Sequence, residues 1–175
     1  MRLFVETPIP PELKNKLEDI GGEIKKDGIN IVKPKNMHAT LKFIGENSSE
    51  EVDNIKQKLA DIRFNKFKCQ IKGIGVFPNE KYIRVVWIGI ESNGKLEELA
   101  KGVIDAMKIY RNDERFSAHI TIARVKRKID LKEFLDKYKN AGFGEFEVNK
   151  FNLMQSTLGK DGPKYTILAS FKANE

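Results

Sequence analysis

The sequence predicts an α+β fold in which antiparallel sheets carry helices on their outer sides. Three observations support it. β-rich segments alternate with amphipathic helical ones along the 175 residues, and several β-rich segments are separated only by short turns, as in hairpins. The third is a β-rich run with His-x-Thr near its start, which occurs at 38 and again at 119, close to half the chain apart. This repeat suggests a bilobal fold of two similar lobes, with the His-x-Thr strands lining a central cleft.

The helical segments are recognised by apolar residues spaced three and four apart. The clearest covers residues 48–62, with a serine start, an acidic first turn and the apolar residues Val52, Ile55, Leu59 and Ile62 on one face. A Gly pair ends the first helix. The predicted helices are 10–22, 48–62, 94–110 and 130–140.

The strands are recognised by β-branched and aromatic residues between turn-forming ones. PNEK joins two of them as a hairpin, and LGKDGP separates the last two. The predicted strands are 2–7, 29–33, 37–45, 67–77, 82–90, 117–125, 144–156 and 163–173. Because no long linker divides this series, residues 1–175 are predicted to form a single bilobal domain.

Composition limits the class of partner. The formal net charge is +7 and the sequence pI is about 9.3, which favours an anionic partner such as nucleic acid. The chain is rich in Lys, Glu and Ile, and this composition is also typical of heat-adapted proteins. No apolar run approaches the roughly 20 residues of a membrane-spanning helix, and the first residues lack the apolar stretch of a secretory signal. We therefore expect a cytoplasmic protein that does not bind membranes.

The two histidines carry the strongest functional signal, because both have a threonine two positions on. Side chains i and i+2 of a strand point to the same face, so His38 is expected to project with Thr40, and His119 with Thr121. In the first motif Lys42 would follow on that face, and Met37, Ala39, Leu41 and Phe43 would form the core face. In the second, Ala118, Ile120 and Ile122 would face the core.

Two imidazoles that face each other across a cleft form an acid–base pair, since unperturbed histidine titrates near neutrality. Two neighbouring hydroxyl groups can hold an anion. Phosphodiester cleavage needs a base for the nucleophile, an acid for the leaving oxygen and donors for the phosphate oxygens. None of these steps requires a metal ion, and we expect none.

Other interpretations of these residues stay open. A strand histidine is more often structural than catalytic, and two histidines alone are a weak metal-site pattern. The lone Cys69, in an apparent strand, is interpreted as a small core residue rather than a reactive thiol. The Gly-rich GKDG at 159–162 is interpreted as a turn, and Trp87 as a core residue. The basic run 124–128 is as well explained by a solvated loop as by an RNA contact.

Along nearly its whole length, the chain resembles the two-histidine phosphoesterases, and among them the RNA 2′,3′-cyclic phosphodiesterases, also called 2′-5′ RNA ligases. NMHATLKFIGE and FSAHITIARVK match the two signatures, and MRLFVET, GIGVFPN with YIRVVWIGI, and QSTLGKDGPKY match other parts. The departures are Ala39, the ET of the first strand and Ser117 before Ala118. None of these departures touches the predicted chemistry.

The resemblance implies a catalytic domain that opens a 2′,3′-cyclic phosphate at an RNA end to leave a 2′-phosphate. His119 would be the proton acceptor that activates water, and His38 the proton donor to the departing 3′ oxygen. Thr40 and Thr121 would bind the phosphate. With an RNA 5′-hydroxyl in place of water, the same site would make a 2′-5′ linkage without ATP. No cofactor is expected, tRNA fragments are a candidate source of substrate, and we expect a monomer.

Arg124 is a further candidate for phosphate binding, because it follows the second motif closely. It is five residues from His119, so strict alternation places the two on opposite faces unless a bulge intervenes. Two rival functions stay open: a related enzyme acting on another cyclic phosphate, and a non-catalytic protein that binds RNA ends.

Overall fold

The computed structural model describes residues 1–110 and 115–175 and confirms the predicted fold class. Four helices accompany two antiparallel sheets in these ranges. The strands are β1 Arg2–Thr7, β2 Ile29–Ile31, β3 Ala39–Glu46, β4 Phe67–Asn79, β5 Tyr82–Glu91, β6 His119–Val125, β7 Gly142–Val148, β8 Lys150–Gly159 and β9 Gly162–Lys172. The helices are α1 Pro11–Gly22, α2 Ser49–Ala60, α3 Lys95–Ala106 and α4 Lys132–Tyr138, and a 3-10 turn covers Pro34–Asn36.

The two sheets divide the chain in an interleaved way. One has the strand order β3-β1-β8-β9 and the other the order β2-β6-β5-β4-β7. The first sheet therefore joins the two ends of the chain, while β2 from the N-terminal half belongs to the second. The helices are exchanged as well: α3 packs near β3, whereas α1 packs near β6 and β7. Each lobe is thus built from both halves of the sequence, and neither half alone contains a complete lobe.

The amphipathic helices bury the faces that their sequences predict. In α2, Val52, Ile55 and Leu59 are buried. Its first turn contains Glu50 and Glu51, whose negative charges interact favourably with the positive end of the helix dipole. Helix α3 begins after Gly94, whose φ of 81° suits glycine, and ends at Ala106 rather than at 110. None of the helices in the described ranges is long and apolar enough to cross a membrane.

One predicted strand, 144–156, is in fact two. The chain leaves the second sheet at Val148 and enters the first at Lys150, with Asn149 between them. Asn149 accepts a hydrogen bond at its carbonyl from the Ala173 backbone at 2.8 Å. Val148 and Phe151 are buried on either side of the crossing, and the polar pair Asn149 and Lys150 lies between them.

The prediction of which β3 side chains face the core is wrong after the first residues of the strand. Register shifts in the β1–β3 ladder insert Leu41 and Ile44 as extra residues, and each such bulge reverses the alternation. As a result Ile44 is buried, and Phe43, predicted to be a core residue, is exposed. Lys42, predicted to lie on the His38 face, pairs with the core residue Val5 and is itself buried.

Candidate active site

The two His-x-Thr motifs meet where the two sheets adjoin. His38 immediately precedes β3, the edge strand of the first sheet, and His119 is the first residue of β6 in the second. Strands β3 and β6 contact each other across this seam. The charge of His119 also contributes to lowering the pKa of His38. The structure therefore brings together the two histidines that the sequence predicts to act as a pair.

Both imidazoles are held by the same local hydrogen bond. The Nδ1 atom of His38 lies 2.9 Å from the carbonyl oxygen of Asn36, and that of His119 lies 2.8 Å from the carbonyl oxygen of Ser117. In each case the partner is two residues earlier in the chain. A carbonyl oxygen can only accept, so Nδ1 carries the proton and donates it. The Nε2 atom of each ring is left to accept a proton when the ring is neutral, or to donate one when it is charged.

Aromatic rings enclose each histidine. Phe4 and Tyr165 lie 4.9 and 5.2 Å from the His38 ring, measured between centroids, and Tyr165 meets it edge-on at 85°. On the other side of the seam, Phe77 meets the His119 ring edge-on at 88° with centroids 5.1 Å apart. Sequence reasoning did not select Phe4, Phe77 or Tyr165, because they come from distant strands and share no motif.

This apolar enclosure lowers the pKa of both histidines. Burial is the main cause and lowers the pKa of His38 from 6.5 to about 4, aided by the positive charges of Lys14 and Arg124. Burial also lowers the pKa of His119, again aided by Arg124. The hydrogen bonds to the backbone carbonyls oppose the shift without cancelling it. In the ligand-free protein both rings are therefore neutral at pH 7.

The structure places Thr121 on the face of His119 and Thr40 two residues after His38, at the start of β3. Thr121 pairs with Trp87 across the β5–β6 ladder, and His119 pairs with Gly89 two residues away, so both project from the same face of the sheet. Thr40 is the second residue of β3, directly after the motif's buried Ala39, and is half-buried. Each motif thus offers one hydroxyl group next to one imidazole.

A bulge brings Arg124 to the site. In the β5–β6 ladder Thr121 pairs with Trp87 but Ala123 pairs with Val86, so Ile122 is an extra residue. Ile122 and Ala123 are both buried, and the alternation is reversed after them. Arg124 consequently lies on the His119 face, exposed, and its charge affects the pKa values of both histidines. Strict alternation would have placed Arg124 on the face opposite His119, and the bulge reverses this.

Trp87 lies on the site face, not in the core where the sequence analysis placed it. It is only half-buried, its ring centroid is 6.2 Å from that of His119, and it stacks obliquely on Phe77 at 5.4 Å. The ring lies over Gly75, where an added Cβ would be 2.2 Å from the indole Cζ2 atom. A glycine directly across the ladder is the signal that would have identified this position.

A polar row crosses the first sheet from Thr40. Its ladder partner is Glu6, which pairs in turn with Asn152, and Asn152 pairs with Ser170. The Asn152 amide donates to the Glu6 carboxylate at 3.0 Å, and the Ser170 hydroxyl donates to the Asn152 carbonyl oxygen at 2.7 Å. Burial raises the pKa of Glu6, although the Asn152 hydrogen bond and the charges of Lys14 and Lys150 oppose this.

Two remaining predictions, Cys69 and the GKDG turn, also have their positions in the structure. Cys69 is buried, and burial raises the pKa of its thiol to about 12, as suits a core residue rather than a nucleophile. GKDG forms the tight turn between β8 and β9, with Gly159 and Gly162 paired. Within residues 1–110 and 115–175, no three His, Cys, Asp or Glu side chains are grouped so as to hold a metal ion.

Comparison with known proteins agrees with this geometry. The sequence model described as LigT like Phosphoesterase matches the chain twice, over residues 7–87 and 88–165, and each matched segment contains one His-x-Thr. The chain belongs to the LigT-like phosphoesterase family. The resemblance inferred from the two motifs is thereby confirmed.

Relatives of this LigT-like phosphoesterase cover nearly its whole length. A protein of Archaeoglobus fulgidus is 39% identical over 98% of this chain and 100% of its own, and one of Methanocaldococcus jannaschii is 36% identical over 96% and 98%. Both are named RNA 2′,3′-cyclic phosphodiesterase. A crystal structure from Thermus thermophilus superposes with a TM-score of 0.83 at 30% identity, covering 98% and 97% of the chains. E. coli LigT, at 23% identity and a TM-score of 0.84 over 99% and 98%, shares the fold.

Both histidines should titrate well below their usual range in the free protein. We expect midpoints under 6.5 for the two imidazole Cε1–H signals, with His38 near 4, because burial disfavours the charged rings. An NMR titration measures this directly, since the chain has only two histidines, and a His38→Gln variant assigns them. Saturating inorganic phosphate should raise both midpoints. A midpoint at or above 6.5 for either ring in free protein would contradict the burial argument.

Glu6 should make stability depend on pH. Its folded-state pKa is raised, so its contribution is fully present below the unfolded value of 4.5 and is lost as pH rises through the folded pKa. We expect Glu6→Gln to raise Tm at pH 7, with the gain vanishing below pH about 4. Thermal unfolding of both proteins across pH measures this, with Glu145→Gln on an exposed strand position as control. A gain that is independent of pH would show that ionisation of Glu6 is not the cause.

Proposed function

We propose that this LigT-like phosphoesterase is an RNA 2′,3′-cyclic phosphodiesterase that leaves a 2′-phosphate. The observation that carries the proposal is the pair of imidazoles at the seam, each with Nδ1 bonded to a backbone carbonyl and Nε2 available for proton transfer. The names of relatives that are 29 to 41% identical support the substrate class. Residues 1–175 would act as one bilobal catalytic domain, since the site draws on both sheets.

The proposed reaction is an in-line displacement at phosphorus. Nε2 of His119 accepts a proton from water as its oxygen bonds to phosphorus. The bond from phosphorus to the 3′ oxygen breaks, and Nε2 of His38 donates a proton to that oxygen. The products are a 2′-phosphate monoester and a free 3′-hydroxyl, and proton exchange with solvent restores the pair. A 5′-hydroxyl of RNA in place of water would give a 2′-5′ linkage by the same steps.

The lowered pKa of His38 means that the acid is not charged before substrate binds. We propose that the phosphodiester anion raises this pKa, because an opposite charge a few ångströms away favours the protonated ring. Thr40 and Thr121 would donate hydrogen bonds to the phosphate oxygens, and the guanidinium of Arg124 would balance the charge that develops on them. The enzyme would thus gain its proton donor only when an anionic substrate is present.

The decisive experiment is incubation with a short RNA that ends in a 2′,3′-cyclic phosphate, in the presence of EDTA. The expected product is a 2′-phosphate end: its mass exceeds that of the substrate by one water, a non-specific phosphatase removes the phosphate, and a phosphatase specific for 3′-phosphates leaves it in place. An unchanged RNA beside a hydrolysed cyclic nucleotide would assign the enzyme to a different cyclic phosphate. Binding of the RNA without any turnover would favour a non-catalytic binder of RNA ends. Repeating the assay with cyclic-ended tRNA fragments tests that proposed source of substrate.

Single substitutions separate the two proposed histidine roles. His38→Gln and His119→Gln should each lower kcat by about 10²- to 10⁴-fold, as loss of a general acid or base does. A substrate with sulfur in place of the 3′ oxygen has a leaving group that needs no proton. It should restore much of the rate to His38→Gln and little to His119→Gln. Restoration of the His119 variant instead would reverse the assignment, and full activity of either variant on the oxygen substrate would refute it.

A further inference from the structure

The face that carries His119 continues along the β4–β5 hairpin beyond the site. Along this hairpin Gly75 pairs with Trp87, Phe77 with Val85 and Asn79 with Tyr82. Phe77 and Asn79 are two residues apart in β4, whereas their partners Val85 and Tyr82 are three residues apart in β5. Strand β5 therefore contains one extra residue, a β-bulge, between them.

Burial confirms how this bulge turns the side chains. Ile83 and Val86 both belong to the buried core although they are three residues apart, which a regular strand does not allow. Tyr82, the neighbour of Ile83, therefore points away from the core, toward the face that carries Trp87. Tyr82 is 52% exposed, which places it among the exposed large hydrophobic residues of the described chain. The four residue steps from Gly75 to Asn79 place Tyr82 about 13 Å from Trp87 along the hairpin.

Arg84 is fixed against this exposed ring. Its guanidinium carbon lies 4.3 Å from the centroid of the Tyr82 ring, and its Nη2 donates to the Tyr82 hydroxyl. Its Nη1 donates to the carbonyl oxygen of Val125 at 3.4 Å, directly after Arg124. These contacts order a long cationic side chain at the surface, so less conformational freedom would be lost when it binds a ligand.

The charges along this face suit a polyanion. Arg124 pairs with Val85, so along β6 it lies between His119 and the level of Arg84, and Lys126 and Lys128 follow the end of this strand. The face ends at the tip of the hairpin, in a surface depression lined by Glu80, Lys81, Lys128, Ile129 and Asp130. The two carboxylates there balance the two lysines, so the depression offers no net positive charge to further phosphates. The basic and aromatic strip is therefore limited to the short distance between Trp87 and Tyr82.

We propose that Tyr82 and Arg84 form a subsite for a nucleotide upstream of the cyclic end, so that the enzyme acts on single-stranded oligonucleotides in preference to cyclic mononucleotides. A base stacks on the Tyr82 ring and the Arg84 guanidinium contacts a phosphate, a combination that serves single-stranded RNA without reading its sequence. The proposal rests on the proposed function, since it names the form of substrate that the histidine pair receives.

The test compares kcat/KM on a cyclic-ended RNA hexamer and on a cyclic mononucleotide. Tyr82→Ala and Arg84→Ala should each lower kcat/KM on the hexamer about tenfold, which is within the range expected for one stacked base. Tyr82→Phe should retain most of the wild-type kcat/KM, because it keeps the aromatic ring. On the mononucleotide, which has no upstream nucleotide, the loss should stay within about twofold. Arg63→Ala is the charge-matched control, because Arg63 is exposed at the end of α2 and donates to Ala60. It should behave as wild type on both substrates.

Equal losses on both substrates would overturn the subsite, since they would show that the pair supports the fold or Arg124 instead. Unchanged rates on the hexamer would overturn it as well. A separate arm measures binding of a labelled hexamer ending in a 2′-phosphate, which the enzyme cannot hydrolyse. If the wild type turns over neither substrate, the proposed function fails, while a tenfold weaker binding by Tyr82→Ala but not by Arg63→Ala would still support the subsite.

Discussion

The site depends on one interaction made twice, the hydrogen bond from a histidine Nδ1 to the carbonyl oxygen two residues before it. Asn36 and Ser117 supply these carbonyl groups from the segments that lead into β3 and β6. The bond fixes both the tautomer and the direction of the ring, and both matter, because proton transfer needs a particular nitrogen in a particular place. The Thr hydroxyls and Arg124 are placed relative to rings that are already fixed.

The aromatic rings around His38 determine how much free energy its protonation costs. A shift of His38 from 6.5 to about 4 corresponds to roughly 3 kcal/mol that disfavours the charged ring. An anion about 4 Å away contributes an attraction of similar size, about 4 kcal/mol, at the effective dielectric of a protein surface. The two effects are comparable, so a bound phosphodiester is able to restore a proton to the ring. In the proposed mechanism the protein thus keeps an uncharged, partly apolar site when empty and relies on the substrate's own charge to protonate His38.

The interleaved topology explains why the site lies at a seam. The two ends of the chain pair in one sheet, and β2 crosses into the other, so the lobes are tied together by the strands themselves. Because β3 is an edge strand, its first residues are free of a ladder on one side and can face β6. A pair of histidines split between two sheets then needs no mobile linker to be brought together.

By itself, the sequence determined the α+β class, nearly all of the helices and strands, and the pairing of His38 with Thr40 and of His119 with Thr121. These features are local, since they follow from periodicity, turn residues and the two-residue alternation of a strand. Tertiary structure decided the exposure of Phe43, the site-facing position of Trp87, the return of Arg124 to the histidine face and the crossing at Asn149. Bulges and strand exchange cause all four, and both depend on which strand lies alongside. No local pattern of residues encodes that choice, because it is made by packing across the whole chain.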